Sequence, residues 1–439
     1  MSDAREVPIP PRRVSVQALA RVEGEGALRL HVEHGAVTTA ELNIYEPPRF
    51  FEAFLRGRGA HELPDLTARI CGICPVAYQM SAVAAVEDAY GVTVSEPVRL
   101  LRRLLYCGEW IESHALHVHL LHAPDFLGYS GMADMARDHA AVVERGLRIK
   151  KAGNALMATV GGREVHPINV RVGGFYRAPS VADLRALATD ALEPAREEAI
   201  EMVRWAATLP YPDFTHDHEL VALWTPDEYP LERGRLRSTG GLDVAPAAFE
   251  DAISEEQVPH STALHARLHA REDPYLTGPL ARWALNRETI SPLAREVADE
   301  VGLEPVCRNP FRAILVRCVE ILFALDEALR LIADYEPPDP PADDARPREG
   351  VGHAITEAPR GALYQRYEID AGGIVRSARI VPPTSQNQRA IEADVRAFAT
   401  PRLQLADEDL ALECERAIRN HDPCISCATH FLDLTVTGR

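Results

Sequence analysis

The sequence predicts an α+β fold, predominantly α-helical: a large helical body with a central helix bundle and small antiparallel β-elements near both ends. Three observations point there. Apolar residues recur at helical spacing over several long stretches. Alternating, strand-like segments joined by Gly-containing turns are clearest near the two ends. Apolar residues also make up 46% of the 439 residues, enough to bury a large core. The chain is expected to form one domain over residues 1–439.

The elements follow in order. Residues 27–32 (ALRLHV) and 37–45 alternate as strands, and His34-Gly35 between them suits a tight turn. Residues 81–90 form a short Ala-rich helix stopped by Gly91. Residues 97–122 place Leu100, Leu101, Leu104, Leu105 and Ile111 at helical spacing, and 133–160, 181–207 and 313–335 read as helices of the same kind. The stretch 209–309 holds many turns and no clear period. Residues 335–350 are rich in Pro and Asp, which cannot pack a core, and form a surface connection. Residues 363–369 and 374–381 are two strands around the turn Asp370-Ala371-Gly372-Gly373.

Composition narrows the function. A net charge of −18 argues against nucleic acid or an anionic membrane as the main partner. No apolar run is long enough to span a bilayer. After Arg12-Arg13 the chain meets Arg21 and Glu23 before any useful apolar stretch, which is unlike an export signal, so a cytoplasmic protein without membrane insertion is expected. Eight cysteines in a long acidic chain do not suit a secreted disulfide scaffold. Cys107, Cys318 and Cys414 lie in helix-like apolar runs as inert buried thiols, and Cys307 sits in a Pro/Asn-flanked turn with no assigned role.

The other four cysteines carry the chemistry. Cys71-Gly72-Ile73-Cys74 and Cys424-Ile425-Ser426-Cys427 stand at opposite ends of the chain. Four thiolates that meet only through the fold read as a buried site for a soft metal such as nickel, iron, copper(I) or zinc. Structural zinc is the plain alternative. Against it, zinc ribbons place both pairs within a few tens of residues, and a chain of this size needs no metal staple to fold. Cys74-Pro75 leads into a helix, whose N-terminus favours a thiolate.

Arg69-Ile70-Cys71-Gly72-Ile73-Cys74, paired with Asp422-Pro423-Cys424-Ile425-Ser426-Cys427-Ala428-Thr429-His430, resembles the signature of the [NiFe]-hydrogenase large subunit. Further blocks match in order: Arg21-Val22-Glu23-Gly24; Arg49-Phe50-Phe51-Glu52, with Phe50 where the family has Gly; Gly162-Arg163 with His166-Pro167 and Gly173-Gly174; Gly278-Pro279-Leu280-Ala281-Arg282; Glu357-Ala358-Pro359-Arg360-Gly361; and Val381-Pro382-Pro383-Thr384-Ser385-Gln386-Asn387. Cytosolic features and Tyr78, standing where many members have His, resemble the bidirectional, NAD(P)- or deazaflavin-linked branch.

The resemblance implies reversible heterolytic cleavage of H2 to protons and electrons at a Ni–Fe centre. Cys71, Cys74, Cys424 and Cys427 bind nickel, with Cys74 and Cys427 bridging to an iron that carries CO and CN. Arg360 lies over the open face with Asp422 and Asp125 framing it, and Glu23 begins the proton exit. Thr384, Ser385 and Pro359 contact the iron's ligands. Glu52 and His430 hold a second, hard metal such as magnesium. His166 and His114 support the structure around the site. Residues 431–439 resemble the extension that a maturation endopeptidase, aided by a chaperone, removes after His430. With no Gly-x-Gly-x-x-Gly after a strand and no further cysteine cluster, iron–sulfur clusters, flavin and NAD(P) fall to partner subunits: an Fe–S small subunit and diaphorase-type chains. Three other readings stay open. One is an H2 sensor gating a signalling partner. The second is a quinone-reductase core subunit, which shares the fold and lacks the four cysteines. The third is a zinc-stapled scaffold without catalysis.

Overall fold

A computed structural model describes residues 10–429, so His430 and the 431–439 segment lie outside the described residues. About half the chain is helical, with several small sheets. Glu96–Ala115 runs through the interior, buried from Leu101 to Ala115, and the helices Ala140–Gly161 and Ala313–Ala333 pack against it. Glu193–Ala207 packs in turn on Ala313–Ala333. Ala313–Ala333 buries nearly every residue from Ala313 to Ala328. A helix apolar on all sides belongs in a core. No helix among the described residues is long and apolar enough to cross a membrane.

The N-terminal strands Arg12–Val16, Gly26–Glu33 and Ala36–Ile44 form an antiparallel sheet, turned at His34 and Gly35, both at positive φ. Gly361–Ile369 and Val375–Val381 form the second expected hairpin, and Gly350–Ala358, a strand the sequence reading did not expect, joins it as a third. The expectation of β-structure near the ends alone needs correction. The patternless middle holds a four-stranded sheet in the order Tyr275–Thr277, Glu219–Trp224, Arg235–Ser238, Asp243–Val244. Its first pair is parallel, so the sheets are not all antiparallel. Glu219–Trp224 is buried on both faces, which removes the alternation that would have marked it.

Helix boundaries also shift. The helix expected at 81–90 starts at Pro75, where proline suits the first turn, and ends at Gly91 with φ 67°. The stretch 133–160 is two helices, Met132–Asp138 and Ala140–Gly161, broken at His139. The stretches 97–122 and 181–207 each contain a wide π-type turn, Leu116–His122 and Ala188–Leu192. The first sets His117 Nε2 2.9 Å from Arg419 O in the C-terminal segment, with the His122 ring packed against His117, the kind of local irregularity that accumulates at functional sites. Within 334–349, Asp343 accepts from Ser95 N at 2.7 Å and donates its own N–H to Gly173 O at 2.8 Å.

Candidate metal centre

The fold joins the two cysteine pairs. Cys71 and Cys74 precede Pro75–Tyr90, with Cys74 at its N-cap. Cys424 caps the short helix Ile425–Ala428, which carries Cys427. Cys71 Sγ lies 3.5 Å from Cys424 Sγ, Cys74 Sγ 3.6 Å from Cys427 Sγ, and Cys424 Sγ 2.8 Å from Cys427 Sγ. All four sulfurs lie within 4.8 Å of one another, and all four residues are buried.

The donor set fits a metal. Hydrogen bonds from neighbouring thiols pull Cys71 well below the ordinary thiol value, while burial pushes Cys424 and Cys427 above it. One sulfur ionises at the expense of the others, because adjacent anions repel. A bound cation removes that conflict and takes all four as thiolates.

Three supports hold the pairs in register. Arg49 Nη2 donates to Ile70 O at 2.6 Å and to Ser426 O, and Arg49 N donates to Thr429 O at 2.7 Å. One guanidinium thus ties the first cysteine loop to the second. Glu109 accepts from Val76 N at 2.6 Å and Ala77 N at 3.0 Å, occupying the N-terminal donors of the helix after Cys74. Thr384 Oγ1 accepts from Cys424 N at 3.0 Å.

Glu23 lies beside the second cysteine pair. Its backbone bridges to Cys424, its Oε2 accepts from Cys424 Sγ at 3.1 Å, and the same oxygen accepts from Ser426 N at 3.0 Å. Ser426 Oγ donates onward to Glu46 Oε2 at 3.1 Å.

Arg360 is 2% exposed. Its Nε donates to Asp422 O at 2.8 Å and its Nη2 to Asp422 Oδ1 at 3.2 Å. Burial opposes the charge, but Asp422 and the cysteine sulfurs outweigh it and hold the guanidinium protonated. Nη1 is buried and has no hydrogen-bond partner among the described residues. A small cavity of about 10 Å³ opens between Cys74, Tyr78, Ala358, Arg360, Pro383, Cys424 and Cys427. Tyr78 borders it, and burial followed by the Cys427 charge keeps its hydroxyl protonated well above the ordinary phenol range.

Arg360 is aimed by a buried network. Arg282 donates to Ala358 O at 3.0 Å and Pro359 O at 2.8 Å, while pairing with Glu320 at 2.7 Å and Glu357 at 2.9 Å. His114 Nε2 stands 3.1 Å from Glu320, and His166 Nδ1 bonds Ala68 O at 2.8 Å, so neither faces the sulfurs. Gly278 allows the backbone approach: at φ 120°, a Cβ there would lie 2.8 Å from Arg360 O.

Three expected placements change. Asp125 does not frame Arg360: it bonds Arg419 Nε at 2.6 Å and Arg21 Nη2 at 2.5 Å. Against burial, which raises it, Arg419 holds the Asp125 carboxyl low. The Ser385 hydroxyl bonds Glu255 at 2.6 Å and Pro382 O at 3.0 Å, turned from the sulfurs by the helix Pro383–Ala399. Pro359 presents its carbonyl to Arg282, so Ala358 and Pro383 line the cavity in place of Pro359 and Ser385. Glu52 is 7% exposed and accepts from Ile380 N at 2.7 Å, and burial raises its pKa. Its expected companion His430 is outside the described residues. Motif reading passed over the roles of Arg49, Glu109 and Arg282, although Arg49 and Arg282 stood inside matched blocks.

Comparison with known proteins agrees with this geometry. The profile of the nickel-dependent hydrogenase family matches residues 49–145 and 277–430. Sulfhydrogenase 1 subunit alpha of Pyrococcus furiosus is 31% identical over 429 residues, covering 96% of this chain and 98% of that protein. Sulfhydrogenase 2 subunit alpha of the same organism is 33% identical over 433 residues, covering 96% and 100%. The crystal structure of an NAD+-reducing [NiFe]-hydrogenase in its H2-reduced state superposes with a TM-score of 0.86 at 25% identity, covering 95% of this chain and 99% of that one. Four convergent cysteines, a family profile spanning more than half the residues and a relative aligned end to end lead to one conclusion: the chain belongs to the nickel-dependent hydrogenase large-subunit family.

Proposed function

We propose that this hydrogenase subunit cleaves H2 heterolytically and passes the electrons through a partner iron–sulfur subunit to flavin-containing chains that exchange them with NAD(P). The single observation that carries the chemical part is the Glu23 carboxylate 3.1 Å from Cys424 Sγ within a closed four-sulfur cluster. Likeness to the NAD+-reducing structure supports the acceptor. When bound, a Ni–Fe centre with CO and CN on iron supplies the electron-rich site that polarises H2.

The chain's own residues do the rest. Cys71, Cys74, Cys424 and Cys427 would hold the metal centre as thiolates. Cys424 Sγ is the nearest base to the cavity that has a carboxylate behind it. A proton received there passes to Glu23 Oε2, and the partly exposed Glu46, which accepts from Ser426 Oγ, is the next carboxylate on the way out. Arg360 Nη1 offers a buried donor to a cyanide or a substrate proton acceptor in the cavity. Thr384 fixes Cys424 through its N–H, and Asp422 fixes Arg360. Glu52, with His430, suits a hard cation such as magnesium. The complex is assigned to the cytoplasm on the nature of its acceptor.

The test is H2-dependent reduction of NAD+ and NADP+ by the complex purified with its partners from a host that matures such enzymes. Reduction of either supports the whole reading. Reduction of a viologen dye without either nucleotide removes the acceptor and keeps the chemistry. No H2 turnover with any acceptor in nickel-loaded protein removes the chemistry.

A further inference from the structure

We propose that His216, His218, Asp394 and His421 form a second metal site, distinct from the cysteine centre and suited to a divalent first-row transition ion of the zinc kind. His216-Asp217-His218 is a stretch without helix entering Glu219–Trp224, and residues two apart on extended chain share a side. Both imidazoles meet Asp394 on the Pro383–Ala399 helix. His216 Nδ1 lies 2.5 Å and His218 Nε2 2.7 Å from Asp394 Oδ1, with the two rings 4.0 Å apart. These three ligand atoms lie within 4.8 Å of one another. His421 arrives from the C-terminal segment. Its Nε2 is 3.0 Å from Asp394 Oδ2, and both buried atoms have no other partner among the described residues. Asp394 is 1% exposed, His218 4% and His421 6%.

A buried carboxylate needs a cation. Among the described residues the ion-pair partners of Asp394 are these three imidazoles, with no Lys or Arg. A divalent ion supplies the charge and accepts one lone pair from each neutral ring. His216, His218 and Asp394 already lie close enough to share an ion, and His421, 3.0 Å from the second carboxylate oxygen, is placed to complete a four-coordinate set of the kind zinc accepts. The His216 side chain is 31% exposed and gives the ion an entrance. The ion clamps His421 to the helix that also carries Thr384. His421 adjoins Asp422, which holds Arg360, and lies three residues before Cys424. The site's role is therefore to fix the segment bearing the second cysteine pair.

The absence of sulfur in this shell separates it from the cysteine centre. The purified complex is equilibrated with micromolar Zn2+, exchanged into metal-free buffer, and examined by elemental analysis and zinc-edge X-ray absorption. The expected result is one zinc per chain with only nitrogen and oxygen neighbours at about 2.0–2.1 Å, and none at the ~2.3 Å of a thiolate. His216→Ala lowers zinc retention at least tenfold with nickel and iron unchanged. His216→Cys retains zinc and adds one sulfur neighbour, which a merely structural histidine would not produce. His260→Ala, in the separate His260–His265–Glu392 group, leaves this zinc in place. No retained zinc, a sulfur-only shell, or zinc indifferent to both His216 variants overturns the proposal.

Discussion

Glu23→Gln isolates proton transfer from architecture. Glu23 Oε2 accepts two hydrogen bonds, from Cys424 Sγ at 3.1 Å and Ser426 N at 3.0 Å. The glutamine carbonyl can occupy that oxygen's place and accept both, so the fold loses only the difference between a charged and a neutral acceptor, about 1 kcal/mol. What glutamine cannot do is take the proton. A positioned general base contributes roughly 10²–10⁴-fold, which is about 3–5 kcal/mol of barrier. H2 oxidation with a viologen dye is therefore expected to fall by at least about 100-fold, with nickel and iron content unchanged and the melting temperature nearly so. H2/D2 exchange, which needs the proton to leave the site and electrons to stay, falls with it. Retention of a third or more of the exchange rate in metal-replete protein would refute Cys424-to-Glu23 transfer and direct attention to another exit.

Other outcomes follow from the same geometry. Arg360→Lys keeps a charge but loses the two-point grip on Asp422, so H2 oxidation drops while the cysteine-bound metal content measured by elemental analysis is retained. Gly278→Ala forces a Cβ to 2.8 Å from Arg360 O at φ 120°, and thermal denaturation should show a loss of about 1–3 kcal/mol. In the Arg282 network, burial opposes ionisation of Glu320 but Arg282 holds its pKa down at about 2, whereas burial pushes Glu357 up to about 7. A lowered carboxyl stabilises above its ordinary 4.5 and loses that contribution as pH falls toward 2; a raised one favours the fold below 4.5 and loses its contribution as pH rises through 7. Glu320→Gln is thus expected to cost about 3–5 kcal/mol at neutral pH, and Glu357→Gln under about 1 kcal/mol, flattening the melting temperature between its ordinary 4.5 and about 7. Equal costs would contradict the assignment.

Much of the centre was legible in the sequence because its signals are local. A Cys-x-x-Cys pair beside a proline announces a liganding turn and a helix start within a few residues: Pro75 follows the first pair and Pro423 precedes the second. Glu23, Arg360, Asp422 and Thr384 stood in matched blocks and meet the cysteines in space. The misplaced residues depended on long-range choices. Asp125 could pair with any nearby arginine, and Arg419, 294 residues away, takes it. Whether Ala358 or Pro359 faces the cavity turns on one residue of register at a strand end, which Arg282 decides from another helix. Glu219–Trp224 was invisible because both its faces are buried. The breaks at His139 and Leu116–His122 were missed because apolar spacing continues across them. His216-x-His218 carried a metal-like spacing, but its carboxylate and third imidazole come from distant segments.

The most direct test of the central claim is an infrared spectrum of the complex purified with its partners. A Ni–Fe centre in the Cys71, Cys74, Cys424, Cys427 cluster predicts bands for one metal-bound CO and two CN, shifting when H2 is added. A matured chain, trimmed after His430, that shows no such bands and carries zinc on the four cysteines would contradict the account.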